Sequence, residues 1–452
     1  MTAVSRVGRV DYDAGHGSRA FGVDHYDLDL SYRPDTNRLS GTATVTVRAL
    51  EPVREIGLDL VGLAVRDVRM TGARLERHRH RAGRLVLRLA TELRAGATAT
   101  VRVRYDGHPG PIGSPWGPIG WEELTDGVLV AGQPTGAPTW FPCNDRPDDK
   151  ATYRTALTVP NPYRAVATGN AVGRRTRSGT TTWVYEQRWP TPAYLAAVHV
   201  GRYEEVELAA GPVRQTVVLP AELRAPARER LARHAELMEF LSGLLGPYPF
   251  DAYAVVVTAD ALEIPLEAQG MSVFGANHLR PGHDNGRLLA HELAHQWFGN
   301  SLSVASWQHI WLNEGFATYA EWLWSQEAGG PTEQTLARTW HARLAARPRD
   351  LVLADPGYPR IFDDRVYERG ALTLHALRTL IGDPAFRTLL RTWVSRHAHG
   401  SVTTDDFRSL ALEIAADEGG RALADAVAAD LRAWLDEPGL PPLPKGRRRR
   451  ST

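Results

Sequence analysis

The sequence predicts a multidomain α+β protein, with a β-rich N-terminal domain followed by a mainly helical one. Three observations support this: a length of 452 residues, a change of hydrophobic period near residue 220, and almost no helical pattern before that point. Domains usually run to roughly 100–200 residues, so a chain of this length divides into two or three. The expected division is a flexible N-terminus over 1–20, a β-rich domain over 21–205, a helical domain over 206–440 and a disordered basic tail over 441–452.

The β-rich reading rests on short runs in which apolar and polar residues alternate between Gly22 and Gly201. Tyr26, Leu28, Leu30 and Tyr32 form one such run, and Ala43, Val45, Val47 and Ala49 another. A period of two turns one face of each run to a core and the other to water. Turn-forming clusters such as RPDTNRLSG and RTRSGTT separate the runs, which points to antiparallel pairing.

Near residue 220 the period lengthens. Leu237, Met238, Leu241, Leu244 and Leu245 recur at helical spacing, and Gly246, Pro247 and Pro249 then prevent the helix from continuing. Tyr253 to Val257 is expected to be a buried strand. From residue 285 to about Leu435 the pattern is mostly helical, and the last residues, with Arg447 to Arg450, read as a solvated tail.

Composition narrows the class of function. Hydrophobic residues at 43% and charged residues at 23% are ordinary for a globular chain, and a formal net charge of +1 creates no broad field for nucleic acid or an acidic membrane. Neither is expected as a partner. Cys143 is the only cysteine, which excludes an intrachain disulfide and a multi-thiolate metal site. No signal-peptide core opens the sequence and no stretch reaches the roughly 18 apolar residues of a membrane span, so a cytoplasmic location is expected. Nearly all the positive charge is arginine, because Lys150 and Lys445 are the only lysines.

The chemistry is concentrated in His291-Glu292-Leu293-Ala294-His295, an H-E-x-x-H pattern inside helical text from Gly286 to Phe298. Residues four apart on a helix stand one above the other, so both imidazoles converge on one side while Leu289, Leu293 and Trp297 supply an apolar stripe. A second helical segment, WLNEGFATYAEWL, brings Glu314 after 18 intervening residues, enough for a turn and an antiparallel return. Two imidazoles and one carboxylate leave the fourth position of a zinc ion open for water, which is the catalytic rather than the structural arrangement. One zinc per chain is therefore expected on His291, His295 and Glu314. Glu292 is placed to accept a proton from the activated water and return it to the leaving amine. Glu321, two turns after Glu314 on the same face, is expected to hold a liganding histidine in its working tautomer. His278, His283 and His309 lie near the motif without ligand spacing and are expected in core or surface roles.

HELAHQWFGN and WLNEGFATYAE resemble the signature of the aminopeptidase N family of zinc metallopeptidases, the gluzincins that include leukotriene hydrolase. The stretch from Thr139 to Pro160, with GPYPF and SVTTDDF, is similar to the same family, and the resemblance covers roughly residues 20 to 440. It implies a saddle-like β-domain followed by a thermolysin-like catalytic domain, in a compact form without the helical C-terminal domain of many relatives. It also implies an aminopeptidase acting on peptide substrates with a free N-terminus. By the same resemblance Tyr367 stabilises the oxyanion, Glu267 in Ile264-Pro265-Leu266-Glu267-Ala268 receives the substrate ammonium on an edge strand, and Gln133 lines that pocket. Ile264 and Pro265 depart from the family's Gly-x-Met-Glu-Asn, and Asn144 and Arg146 depart near the Phe-Pro-Cys segment. Two rival readings share the zinc groups: a thermolysin-type endopeptidase that tolerates blocked N-termini, and a zinc-stabilised binding module without catalysis. Oligomeric state and the preferred N-terminal side chain are not encoded in any pattern recognised in the sequence.

Overall fold

The structure is a computed structural model that describes Tyr12 and residues 15–209, 211–280 and 285–444. His283 and the Arg447 to Arg450 run fall outside the described residues. Up to Gly201 the chain is built of strands and short 3-10 turns. Its largest sheet has seven strands, with Phe21–Arg33 between Lys150–Pro160 and Arg38–Ala49. A five-stranded and a three-stranded sheet complete the layers. The alternating residues read from the sequence face inward: Tyr26, Leu28, Leu30, Val45 and Val47 all lie in one buried core with Trp140, Phe141 and Tyr153.

Antiparallel pairing was expected throughout, but Phe21–Arg33 and Lys150–Pro160 run parallel, in the register Tyr26 to Tyr153. Parallel neighbours need a long crossover, and here the whole stretch from Pro34 to Asp149 intervenes. The pairing therefore carries no local turn signature. Its first residue, Lys150, lies at the joint with the helical unit.

The sheets change hands at Arg202. Val198–Gly201 pairs inside the N-terminal unit, whereas Tyr203–Ala209 opens a second five-stranded sheet, so the expected division at 205/206 falls within a strand. This second sheet ends in the short strand Leu266–Ala268, antiparallel to Met271–Gly275 and unpaired on its outer edge. The helix His234–Leu245 stops at Gly246, whose φ of 112° a side chain would resist.

The remaining helices pack around one large apolar core. Trp311–Glu327 crosses Asp364–Ile381 through two glycines: a Cβ on either Gly315 or Gly370 would lie 2.7 Å from the other's Cα. That close approach brings Glu314 and Tyr367, neighbours of these glycines in sequence, to the same end of the crossing. Thr403 caps the last long helix, Thr404–Leu435, in a reciprocal box with Asp406, which explains the SVTTDDF text.

Both expected flexible ends are partly tied down. The Tyr12 hydroxyl donates to the Asp355 carboxylate and accepts from the Gly357 N–H at 2.7 Å, and the Gly17 and Ser18 amides donate to Asp59 and Asn144. At the other end Leu440 and Leu443 pack on the helical core and the Pro441 carbonyl meets His341 at 2.8 Å, so 441–444 is not the start of a loose tail. Arg369 fixes the chain just before this segment by donating to the carbonyls of Ala433, Trp434 and Pro438. Among the described residues no helix is long and apolar enough to cross a membrane.

Candidate active site

The helix Asn285–Ala294 carries the first imidazole and the turn that ends it carries the second. Periodicity suggested a helix to Phe298, but after Ala294 the bonding tightens. His295 N–H still reaches the His291 carbonyl, whereas Gln296 and Trp297 reach only three residues back, to Leu293 and Ala294. This tightened turn aims the Phe298 carbonyl at His295. The Nδ1 of His295 lies 3.0 Å from that carbonyl and the Nδ1 of His291 lies 2.7 Å from Glu321. Each contact places the ring proton on Nδ1 and frees Nε2 as a donor of electrons to a cation.

Glu314, in the first turn of Trp311–Glu327, faces both free nitrogens. Its Oε2 is 3.5 Å from His291 Nε2 and 3.5 Å from His295 Nε2. Zinc bonds of about 2.0–2.2 Å at tetrahedral angles require ligand atoms roughly 3.3–3.6 Å apart, so the geometry fits one zinc ion. His291, His295 and Glu314 are the one such metal-holding group among the described residues. Burial opposes charge on His291, yet hydrogen bonds to Glu314 and Glu321 outweigh it and raise its pKa well above the ordinary histidine value.

Glu292 is buried and its Oε2 has no hydrogen-bond partner in the protein. Burial, reinforced by the carboxylates of Glu267, Glu314 and Glu321, raises its pKa well above the ordinary range. Tyr367 stacks on His291 with ring centroids 6.0 Å apart and planes inclined by 18°. Its pKa is also raised, first by burial and then by Glu314, Glu267 and Glu292, so the phenol stays a neutral donor. Glu267, half-buried on the edge strand, is raised by burial and by Glu314 while His295 opposes the shift. Glu267, Glu292 and Tyr367 thus all feel the charge of Glu314, which lies at the cluster.

Gln133 has no hydrogen bond to the cluster. Its Nε2 is buried without a partner, and no hydrogen bond joins it to Glu267. The link between them is Tyr194: Gly132 abuts its backbone, and its phenol feels Glu267 and Glu314 while donating to the Gly299 carbonyl at 3.1 Å. His278 accepts from the Gly275 N–H at 3.1 Å and His309 meets Thr404 at 3.0 Å, both in structural contacts.

Several groups escaped sequence reasoning. Arg287 donates to Glu321 at 3.0 Å from one helical turn before His291, a spacing that could have signalled it. The Phe298 carbonyl had no such signal, because backbone atoms leave no mark in a sequence. Tyr194 lies far along the chain from the motif it touches.

A β-rich unit followed by a helical one, with H-E-x-x-H and a returning carboxylate, defines a metallopeptidase. Comparison with known proteins gives the family. Residues 230–426 match the Peptidase family M1 domain and residues 23–195 the Peptidase M1 N-terminal domain. The chain is similar along its length to an M1 zinc metallopeptidase from Deinococcus radiodurans, solved with a Tyr-Ser-Ala substrate. Identity is 34% and the TM-score 0.84, covering 95% of this chain and 97% of that one. Leucine aminopeptidase 2 of Vanderwaltozyma polyspora is 25% identical, over 96% of this chain and 69% of its own. Leukotriene A-4 hydrolase of Xenopus laevis is 24% identical, over 94% and 72%. The chain belongs to peptidase family M1 and is a hydrolase acting on peptide bonds.

Proposed function

We propose that this protein is a zinc-dependent aminopeptidase that removes residues singly from peptides with a free N-terminus. The observation that carries the proposal is one carboxylate oxygen 3.5 Å from two imidazole nitrogens, with buried Glu292 next to His291 in the chain. Zinc on His291, His295 and Glu314 would supply a Lewis acid that polarises the scissile carbonyl and lowers the pKa of water at its open position.

The chain's own residues do the rest. Glu267, costly as a half-buried carboxylate, is offset by the substrate ammonium and places the first peptide bond at the cluster. Glu292 accepts the proton of the attacking water and returns it to the departing nitrogen. Tyr367 donates its hydroxyl to the oxyanion, a bond that strengthens as charge develops and so acts on the transition state. Glu321 keeps His291 in the tautomer that leaves Nε2 free.

Relatives support the free-amine reading: similar M1 structures are described with a Tyr-Ser-Ala substrate, with L-tryptophan and with L-arginine. Gln133 is kept as a candidate wall of the amine pocket, reached through Tyr194. A net charge of +1 gives nucleic acid and acidic membrane no electrostatic hold, and one buried thiol, Cys143, suits a cytoplasmic setting. The test is a peptide compared with its N-acetyl form. An aminopeptidase cleaves the free peptide far faster, whereas equal rates would establish the endopeptidase instead.

A further inference from the structure

The turn after the second imidazole carries two amides that grip the hairpin holding Glu267. Gln296 Oε1 accepts from the Gly270 N–H at 2.8 Å, and its Nε2 donates to the Ala268 and Met271 carbonyls, both at 3.3 Å. Asn300 Nδ2 donates to the Ala268 carbonyl at 3.0 Å, one residue from Glu267. The distance between amine anchor and metal cluster is thus set by hydrogen bonds to the motif's own trailing residues.

That grip has a second end in the N-terminal unit. Lys150 Nζ donates to the carbonyls of Asn300 at 3.2 Å, Ser301 at 2.8 Å and Gly400 at 3.1 Å. Nearby, Gln269 donates through Nε2 to the Trp189 carbonyl at 3.3 Å and through its amide to the Leu195 carbonyl at 3.3 Å. The β-rich unit therefore holds both the hairpin turn and the loop that follows the metal helix.

The residue type fits this task. Lysine occurs only at positions 150 and 445 in a chain with 53 basic residues. An ammonium presents three N–H groups around one atom and meets three carbonyls that converge on that atom, whereas a guanidinium, as at Arg369, spreads its donors over a wider plane.

We propose that Lys150 is a positioning residue for the amine anchor: through Asn300 it holds the Glu267 hairpin against the metal helix, so the N-terminal unit takes part in recognising the substrate's ammonium. The inference rests on Glu267 being that anchor. Both are tested on the full chain by measuring kcat, KM, zinc content and Tm for the parent, Lys150→Met, Lys150→Arg, Asn300→Ala and the Lys150→Met/Asn300→Ala double variant. The substrates are an aminoacyl-arylamide and a peptide with its N-acetyl form.

Each single variant is expected to raise KM for the free-amine substrate about tenfold or more while keeping one zinc per chain, since small misplacements at a binding group cost this much. The double variant should be no worse than the poorer single, because both act along one path. Lys150→Arg should not rescue. A lower Tm with KM unchanged, or full rescue by arginine, would overturn the proposal. Should Lys150→Met fail to fold, Asn300→Ala decides by the same readout, since it leaves the carbonyls under Lys150 in place. A parent that cleaves the N-acetyl peptide equally well would instead remove the anchor on which the inference rests.

Discussion

Two regions of this molecule gather buried acids, and they treat them in opposite ways. In the N-terminal unit Asp59 accepts from Arg84 at 2.7 Å and from the Gly17 N–H at 2.7 Å. Asp149 accepts from Asn144 at 2.6 Å and from the Val23 N–H at 3.1 Å, and Asp148 meets Arg146 at 2.7 Å. Asp145 faces His16 at 3.5 Å. Asp59, Asp148 and Asp149 each have their own donor or cation, while Asp145 Oδ2 faces the His16 ring without a hydrogen bond; together they fasten the entering chain to the first sheet. Around Glu314 a carboxylate oxygen instead meets two imidazoles at one point, and among the described residues Glu292 Oε2 has no hydrogen-bond partner. Burial of charge is common to both regions. Only the convergence of a carboxylate and two imidazoles on one point marks the site of chemistry.

That contrast predicts different consequences for changes of the same kind. The largest belongs to Glu292→Gln, which should lower kcat by about a thousandfold or more while zinc content and Tm stay at the parental values. Metal analysis beside an arylamide assay checks it, and parental turnover would remove Glu292 from its role. Next is Glu321→Ala, which frees the His291 ring and should weaken zinc affinity by about 10–100-fold in competition with a chelator.

In the paired region the effect should move from rate to stability. Asp59→Asn is expected to cost about 1–3 kcal/mol in denaturant unfolding, discounted because Arg84 is partly exposed, with kcat per folded site unchanged. A loss of kcat there would erase the distinction between the two clusters. The smallest effect concerns pH. Burial raises the Asp145 pKa from 3.8 to about 6, so its folded state binds the proton more tightly than the unfolded chain. The stabilisation from that proton is complete below about 4 and is lost as pH rises through about 6. Compared with Asp145→Asn, the parent's Tm should therefore fall more between pH 4 and 6.5. Parallel curves would refute the shift.

The two regions also differed in how much of them the sequence disclosed. His291, Glu292, His295 and Glu314 were legible because helical spacing and a single return dictate their meeting. The helix stop at Gly246 and the inward faces of the first strands were legible for the same local reason. What stayed hidden depends on contacts between distant parts of the chain. The parallel pairing of Phe21–Arg33 with Lys150–Pro160 has no turn to announce it. The Phe298 carbonyl behind His295 is a backbone group, and the settling of 441–444 depends on where Leu440 and Leu443 find a core. Lys150 was visible as a rare residue, but its three carbonyl partners come from two loops about 150 and 250 positions away.

The account turns on three side chains holding one ion, and metal stoichiometry tests this most directly. Elemental analysis of the purified protein beside Glu314→Ala should find one zinc per chain in the parent and almost none in the variant, with turnover lost in step. A parent that carries no zinc and takes up none when offered, or a variant that retains a full equivalent, would contradict it.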